Sequence, residues 1–205
     1  MENRLPIRRN VEQTRKKILS SAFQIFAEKG FDGLTTRALC RKAKVTSGTL
    51  YYHFSSKESL YTEAIRNVYQ ERYDNFIITL SSIPDPVERL RAMIKMYVSI
   101  AANDRTLLKF VKREQLQGDP QRLAMIIKSP LGEQANFMYD ALVEVCGSFN
   151  PHLVATSIMG MILQKYEAAE FWTHTKGYQE GSLEPDIVAD HIFKFVSSAL
   201  GLSAE

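Results

Sequence analysis

Ala43-Lys44-Val45-Thr46-Ser47-Gly48-Thr49-Leu50-Tyr51-Tyr52-His53-Phe54-Ser55-Ser56-Lys57-Glu58-Ser59-Leu60 is the stretch on which the fold turns. A short helix is predicted over 46–54, and only Lys44-Val45 separates it from another over 36–43, each with a threonine placed to cap it. At about 100° per residue, Leu50 and Phe54 share one side of the second helix. That turns Gly48, Thr49 and Tyr52 outward, with Tyr51 and His53 flanking. A face that is small, hydroxylated and aromatic suits a helix entering a major groove: glycine lets the backbone come close, while hydroxyls, phenols and imidazole reach phosphates or base edges. Arg37 and Lys57 stand at the starts of neighbouring helices, where side chains and free backbone N–H groups hold phosphates together. Short helix, tight turn, short helix is a helix-turn-helix arrangement.

Upstream, Ile18, Ala22, Ile25 and Phe26 recur at helical spacing, opened by an Asn10-x-x-Gln13 spacing like a capping box and stopped at Lys29-Gly30. Residues 1–10, with Arg4, Arg8 and Arg9, read as a mobile basic arm that either enters a minor groove or is a solvated charge run. Downstream, Ser55-x-x-Glu58 is a capping-box pattern, and it launches a long helix from about 56 to 80 that Pro84 and Pro86 close. Helical periodicity continues over 87–102 and 107–116, and Gly118-Asp119-Pro120 breaks it. The region 121–145 is helical with a bend at Pro130, or two helices meeting there. Prolines open the last two predicted helices, 151–173 and 185–200, and 174–184 between them reads as a loop. The expected fold is all-α: a basic arm at 1–10, a three-helix DNA-binding domain at 11–56, and a helical bundle at 57–205 for ligand binding and dimerisation.

The 205 residues are 45% apolar and 24% charged, the balance of a folded globular chain. No run approaches the roughly 20 apolar residues of a membrane span, and the first residues lack the apolar core of a signal peptide. A cytoplasmic protein without a membrane association is expected. Cys40 and Cys146 lie far apart without CxxC spacing, so reduced structural thiols are the default reading. Residues 1–60 hold twelve Lys and Arg against five Asp and Glu, whereas the remainder holds fourteen against eighteen. A basic first quarter on an acidic remainder points one end of the molecule at a polyanion. HExxH, GxxxxGK[ST], GxSxG and GxGxxG do not occur, and the histidines at 53, 152, 174 and 191 have no ligand spacing. Accordingly no catalytic residue, metal site or cofactor is expected, and the chain does not read as an enzyme.

Phe26-Ala27-Glu28-Lys29-Gly30-Phe31-Asp32-Gly33-Leu34-Thr35-Thr36, together with the stretch from Ala43 to Leu60 quoted above, resembles the TetR/AcrR family of bacterial regulators, without a gap and strongly over residues 11–60. The resemblance implies that Thr46, Ser47, Gly48, Thr49, Tyr51, Tyr52, His53 and Lys57 lie at operator-contacting positions, helped by Thr36 and Arg37 from the preceding helix. Ser47 stands where relatives often carry lysine or another polar residue. The implied function is a ligand-responsive repressor that binds a palindromic operator in double-stranded DNA as a homodimer. An activator, or a helical protein-interaction module that keeps the helix-turn-helix, is the alternative. In the implied mechanism, a shift of the long helix at 56–80 changes the spacing of two recognition helices.

One short recognition helix buries little surface, so a two-fold pair is expected. Val188, Ile192, Phe195, Val196 and Ala199 form an apolar stripe on the last helix, and Ala155, Gly160, Ala168 and Ala169 supply small positions on the one before. These are the candidates for a four-helix dimer interface, which the resemblance also implies; the alternative is that both stripes are internal core. Phe76, Met93, Tyr97, Phe110, Met138, Tyr139 and Tyr166 give the bundle flexible and aromatic side chains able to line a cavity, and Glu114 could meet a polar group there. That set points to an apolar or amphipathic small-molecule effector.

Overall fold

Prolines and short polar side chains set the helix starts. Asp85, Asp119 and Asn150 each accept backbone N–H groups of the turn that follows, and Pro86, Pro120 and Pro151 stand next, where a missing N–H costs nothing. The computed structural model describes residues 5–73 and 75–202, with side chains from Asn10 onward. Twelve helices occupy these residues: α1 (Leu5–Lys29), α2 (Thr36–Ala43), α3 (Ser47–His53), α4 (Lys57–Tyr73), α5 (Phe76–Ser81), α6 (Pro86–Asn103), α7 (Arg105–Gln117), α8 (Pro120–Ile127), α9 (Pro130–Val143), α10 (Pro151–Glu167), α11 (Ala169–Thr173) and α12 (Pro185–Leu200). The all-α expectation holds.

Several boundaries differ from the expected ones. The first helix begins at Leu5, not Asn10, because Pro6 fits a first turn and nothing between it and Asn10 breaks the run. Asn10 is therefore an interior residue whose carbonyl accepts from Thr14 Oγ1 at 2.8 Å, and no cap forms there. Of the basic arm, Arg4 and the side chains of Arg8 and Arg9 lie outside the described residues. The long helix expected over 56–80 is two helices, since Asn75 leaves helical geometry between α4 and α5. Its start is capped by Ser56, which accepts from Ser59 N–H at 3.0 Å, and not by Ser55. At Pro130 the two-helix alternative is realised, with Ser129 Oγ accepting from Leu131 N–H at 3.2 Å.

The helices cluster into two compact units. The first holds the described residues up to Tyr73 and the stretch Lys109–Glu133, so it takes in α4 and α8 beyond the 11–56 expected for the DNA-binding domain. Its core is built on α1, whose Ile18, Ala22, Phe23 and Phe26 are buried against α2 and α4. Phe26 meets the ring of Tyr61 edge-on at 5.0 Å, and Phe110 tilts against Phe23 at the same distance. The second unit holds Asn75–Leu108 and the described residues from Gln134 on. There α6 is the central helix: α12, α10 and α5 all pack on it, burying Leu90, Met93, Ile94 and Val98. Each such side chain contributes about 1.5–3 kcal/mol by leaving water.

This packing bears on two expectations. Val188, Ile192 and Val196, assigned to a dimer face, are buried within the chain on the side of α12 that packs on α6. For these three the internal-core alternative is correct: a helix lying on α6 must bury its most apolar arc there. Phe195 and Ala199 of the same stripe remain exposed, as does Gly160 of α10, while Ala155, Ala168 and Ala169 are half-buried. The aromatic set proposed for an effector cavity is likewise divided. Phe110 and Glu114 belong to the first unit, and Phe76, Met93, Tyr97, Met138, Tyr139 and Tyr166 to the second. Phe76 and Tyr97 meet edge-on at 5.0 Å, and Tyr97 donates to the Gln134 carbonyl at 3.1 Å. Tyr139 is exposed. Helical spacing alone could not distinguish residues that pack one core from residues that line one cavity.

Candidate nucleic-acid interface

Local chemistry fixes α2 and α3 before any partner is present. Thr35 Oγ1 accepts from Ala38 N–H at 3.2 Å and so starts α2; Thr46 Oγ1 accepts from Thr49 N–H at 3.1 Å and starts α3. Between them Lys44 takes the left-handed conformation, φ 54° and ψ 48°, and its N–H closes on the Cys40 carbonyl. It is the lone non-glycine at positive φ among the described residues, and it turns the chain tightly enough for α3 to follow after two residues. Leu50 and Phe54 are buried and pin one side of α3 to the first unit.

The opposite side faces outward: Tyr51 is 64% exposed and Tyr52 76%, and Thr46, Ser47 and Gly48 are exposed as well. Tyr51 is not loose, because its hydroxyl lies 3.3 Å from Thr36 Oγ1 and ties α3 to α2. A Cβ built at Gly48 would meet no atom nearer than Thr46 Oγ1 at 3.9 Å, and its backbone is not left-handed. Internal packing therefore gives no reason for glycine there.

Two hollows flank α3. One, of about 500 Å³, brings Gly48, Thr49, Tyr52 and His53 together with Asn10, Val11 and Thr14 of α1. The other, of about 290 Å³, gathers Thr36, Tyr51 and Lys57 with Ser55 and Ser56 at the start of α4. Thr46, Ser47 and the exposed Arg37 line neither. Asn10, Thr14, Ser55 and Ser56 were not among the sequence-based candidates. The α1 pair becomes a neighbour of α3 only through tertiary packing, whereas Ser55 was read only as a cap and Ser56 as the first residue of the helix that follows.

Electrostatics here is arranged by aromatic rings. Arg15 pairs with Glu63 and stands over the Phe54 ring, 5.4 Å from its centre. Partial desolvation, with Arg15 close by, holds the His53 imidazole below its usual value. Lys57 Nζ lies 4.7 Å from the centre of the Phe31 ring, and the Arg122 guanidinium approaches the same ring at 5.6 Å. Arg122 in turn donates from Nε to Glu114 Oε2 at 2.9 Å, and Glu114 is only 2% exposed. Burial and the neighbouring Glu114 carboxylate push the Tyr61 phenol well above the ordinary tyrosine range, so it stays neutral. A buried ion pair, an aromatic ring and a cation beside α3 thus form one connected series within the first unit.

Residues 18–64, which hold the later turns of α1, all of α2 and α3 and the start of α4, match the family model described as bacterial regulatory proteins, tetR family. Over those residues the chain carries the tetR-family segment. The chain is 28% identical over 139 residues to the HTH-type transcriptional regulator HbdR of Aromatoleum sp. (strain CIB), a match over 66% of the chain and 58% of that relative. It is 34% identical over 121 residues to the HTH-type transcriptional regulator UidR of Escherichia coli (strain K12), over 56% of the chain and 58% of the relative. The chain thus spans less than two thirds of the length of either regulator. Its fold is that of AibR, solved in complex with isovaleryl coenzyme A and operator DNA, with a TM-score of 0.65, 20% identity, and 89% of this chain and 97% of that one covered. No helix among the described residues is long and apolar enough to cross a membrane, and no group of three His, Cys, Asp or Glu side chains among them is placed to hold a metal ion.

Proposed function

We propose that this chain is a TetR-family, sequence-specific DNA-binding regulator of transcription, a ligand-responsive repressor acting in the cytoplasm on a palindromic operator as a homodimer. The observation that carries the reading is α3 itself, capped and pinned by Leu50 and Phe54 while Gly48, Tyr51 and Tyr52 face outward and Gly48 has no internal reason to lack a side chain. Thr49, Tyr52 and His53 then face base edges and phosphates, Ser47 and Thr46 meet the backbone beside them, and Arg37 and Lys57 neutralise phosphates at the starts of α2 and α4. The net charge of the first 60 residues supports the same partner.

The dimer reading rests on what α10 and α12 leave uncovered. Phe195 is 61% exposed, and Ile187, Leu153, Ala199 and Gly160 are exposed on the same two helices. Isolated exposed apolar residues need no partner, but several large ones on two adjacent helices make a patch that a second copy covers. The effector is an amphipathic small molecule, and the AibR complex, which holds both an acyl coenzyme A and operator DNA, supports a ligand-responsive reading for this fold. A ligand that weakens operator binding is itself bound more weakly by the DNA-bound form, by the same factor.

Selection of bound duplexes from a random DNA pool tests the reading. An enriched inverted repeat, with half-sites one or more helical turns apart, is the expected result. Folded protein that enriches no sequence, at any salt concentration from low to physiological, refutes it.

A further inference from the structure

Phe31 stands at the edge of the first unit's aromatic core. Gly30 ends α1 with φ 75°, which lets the chain turn sharply, and the Phe31 ring that follows lies parallel to the buried Phe26 ring at 5.9 Å and edge-on to the buried Tyr61 ring at 5.3 Å. Phe31 itself is only half-buried, and two cations approach it. Lys57 Nζ is 4.7 Å from the ring centre and the Arg122 guanidinium 5.6 Å. All of these residues belong to the first unit.

The two cations are not equivalent. Arg122 has its charge balanced by Glu114 at 2.9 Å and Asp119 at 3.4 Å, and its Nη2 donates to Gln117 Oε1 at 3.1 Å. Lys57 forms no ion pair among the described residues. It also opens α4, where the positive end of the helix dipole opposes an ammonium group. The face of an aromatic ring carries negative potential, so Phe31 supplies an attraction that neither the helix end nor a carboxylate provides. An ammonium held by a ring keeps its charge and its donors, whereas a carboxylate partner would compete with a phosphate for both.

We propose that Phe31 is a positioning residue for operator binding: its ring, fixed by Phe26 and Tyr61, holds the Lys57 ammonium at the start of α4 ready for a DNA phosphate. The proposal rests on the DNA-binding reading above and adds a residue that lines neither hollow beside α3. A lysine loses side-chain freedom when it meets a phosphate, and a ring that has already restricted it removes part of that cost. Because Glu114 and Asp119 balance Arg122, the second cation at the ring brings little repulsion to Lys57. The competing role for Phe31 is packing alone, in which any apolar side chain of similar size serves.

A double-mutant cycle on the full chain separates the two roles, read by anisotropy titration of a selected operator duplex. Phe31→Leu keeps an apolar side chain and removes the ring face, whereas Phe31→Tyr keeps the face. The expected result is that Phe31→Leu weakens binding about fivefold, the loss of a cation–π contact at a half-buried site, and has no effect in the Lys57→Ala background. Phe31→Tyr binds as the parent chain does. A loss of equal size in both backgrounds overturns the proposal, since packing alone then explains it. So does tighter binding by Phe31→Leu, because the ring would then withhold the ammonium from DNA. Proton NMR of the free chain gives a second reading that needs no variant at Phe31. The Lys57 ε-methylene signal, assigned by its disappearance in Lys57→Ala, is expected upfield of an ordinary lysine through the ring current. Its appearance at the ordinary position overturns the proposal. A parent chain that shows the upfield signal but binds no duplex strikes the DNA-binding reading and the role built on it. A parent chain that binds duplex without coupling between Phe31 and Lys57 strikes the role alone.

Discussion

Replacing Gly48 by alanine separates what α3 needs in order to fold from what it needs in order to bind. The new Cβ meets only Thr46 Oγ1, at 3.9 Å, an ordinary contact, and the backbone there is not left-handed. Glycine costs a helix roughly 0.5–1 kcal/mol relative to alanine, and a first-turn position realises the lower part of that range. Gly48→Ala should therefore stabilise the chain by about 0.5 kcal/mol, a rise of about 1–2 °C in melting temperature for a protein of this size. Operator affinity should move the other way. A methyl group placed where the backbone approaches the groove separates the neighbouring hydroxyl and phenol contacts from their bases, a loss of about 1–3 kcal/mol, or roughly 5- to 150-fold. Thermal unfolding followed by circular dichroism and anisotropy titration of a selected operator duplex read the two effects on one preparation. Lower stability with unchanged affinity would make Gly48 an internal requirement of the helix and refute the reasoning. Higher stability with unchanged affinity would show that this face does not meet DNA.

Four further outcomes are expected. Lys57→Ala should weaken binding to all duplexes alike and lower the slope of log affinity against log salt by about one, as removal of one phosphate contact requires; an unchanged slope takes Lys57 off the interface. Arg122→Met should cost about 3 kcal/mol in urea unfolding by stranding the buried Glu114, whereas Arg122→Met with Glu114→Leu should recover most of that; equal losses would show that the pair's charge is not what matters. Phe195→Glu should leave melting nearly unchanged and yield a monomer in sedimentation, while a persistent dimer would place the interface elsewhere. His53, held below its usual value in the folded chain, binds its proton more readily once unfolded, so stability is full above about pH 6.5 and falls as pH drops through that region. His53→Gln should flatten this part of the profile, and a profile unchanged by the substitution would assign the slope to other groups.

Much of the DNA-binding end was legible because its signals are local. Thr46 caps by reaching three residues along its own chain, and Leu50 and Phe54 share a side through helical geometry alone, so a sequence window of ten residues contains the whole argument. The second unit resisted for the opposite reason. Whether Val188 or Phe195 is covered depends on which arc of α12 meets α6, and a stripe of apolar residues wider than one contact leaves that rotation open. Glu114 was read as a group that could meet a ligand, since its partner Arg122 lies across the turn that joins α7 to α8. The break before α5 fell at Asn75, inside a run of otherwise helical periodicity, and asparagine is a weak helix former that a periodicity of apolar residues does not weigh.

The division of labour on α3 bears on how such a protein changes. Leu50 and Phe54 carry the attachment of the helix, and Thr46 carries its start, while Ser47, Gly48 and Tyr52 point outward. With α3 reading DNA as proposed, substitutions at Ser47 and Tyr52 should alter which sequence is read with almost no penalty in folding, since surface changes of this kind usually stay within about 0.5 kcal/mol. A library varied at those two positions, with Leu50 and Phe54 held fixed, should yield mostly folded proteins of differing preference. Specificity can then drift through single steps, each of them a stable molecule, instead of crossing a valley of unfolded intermediates.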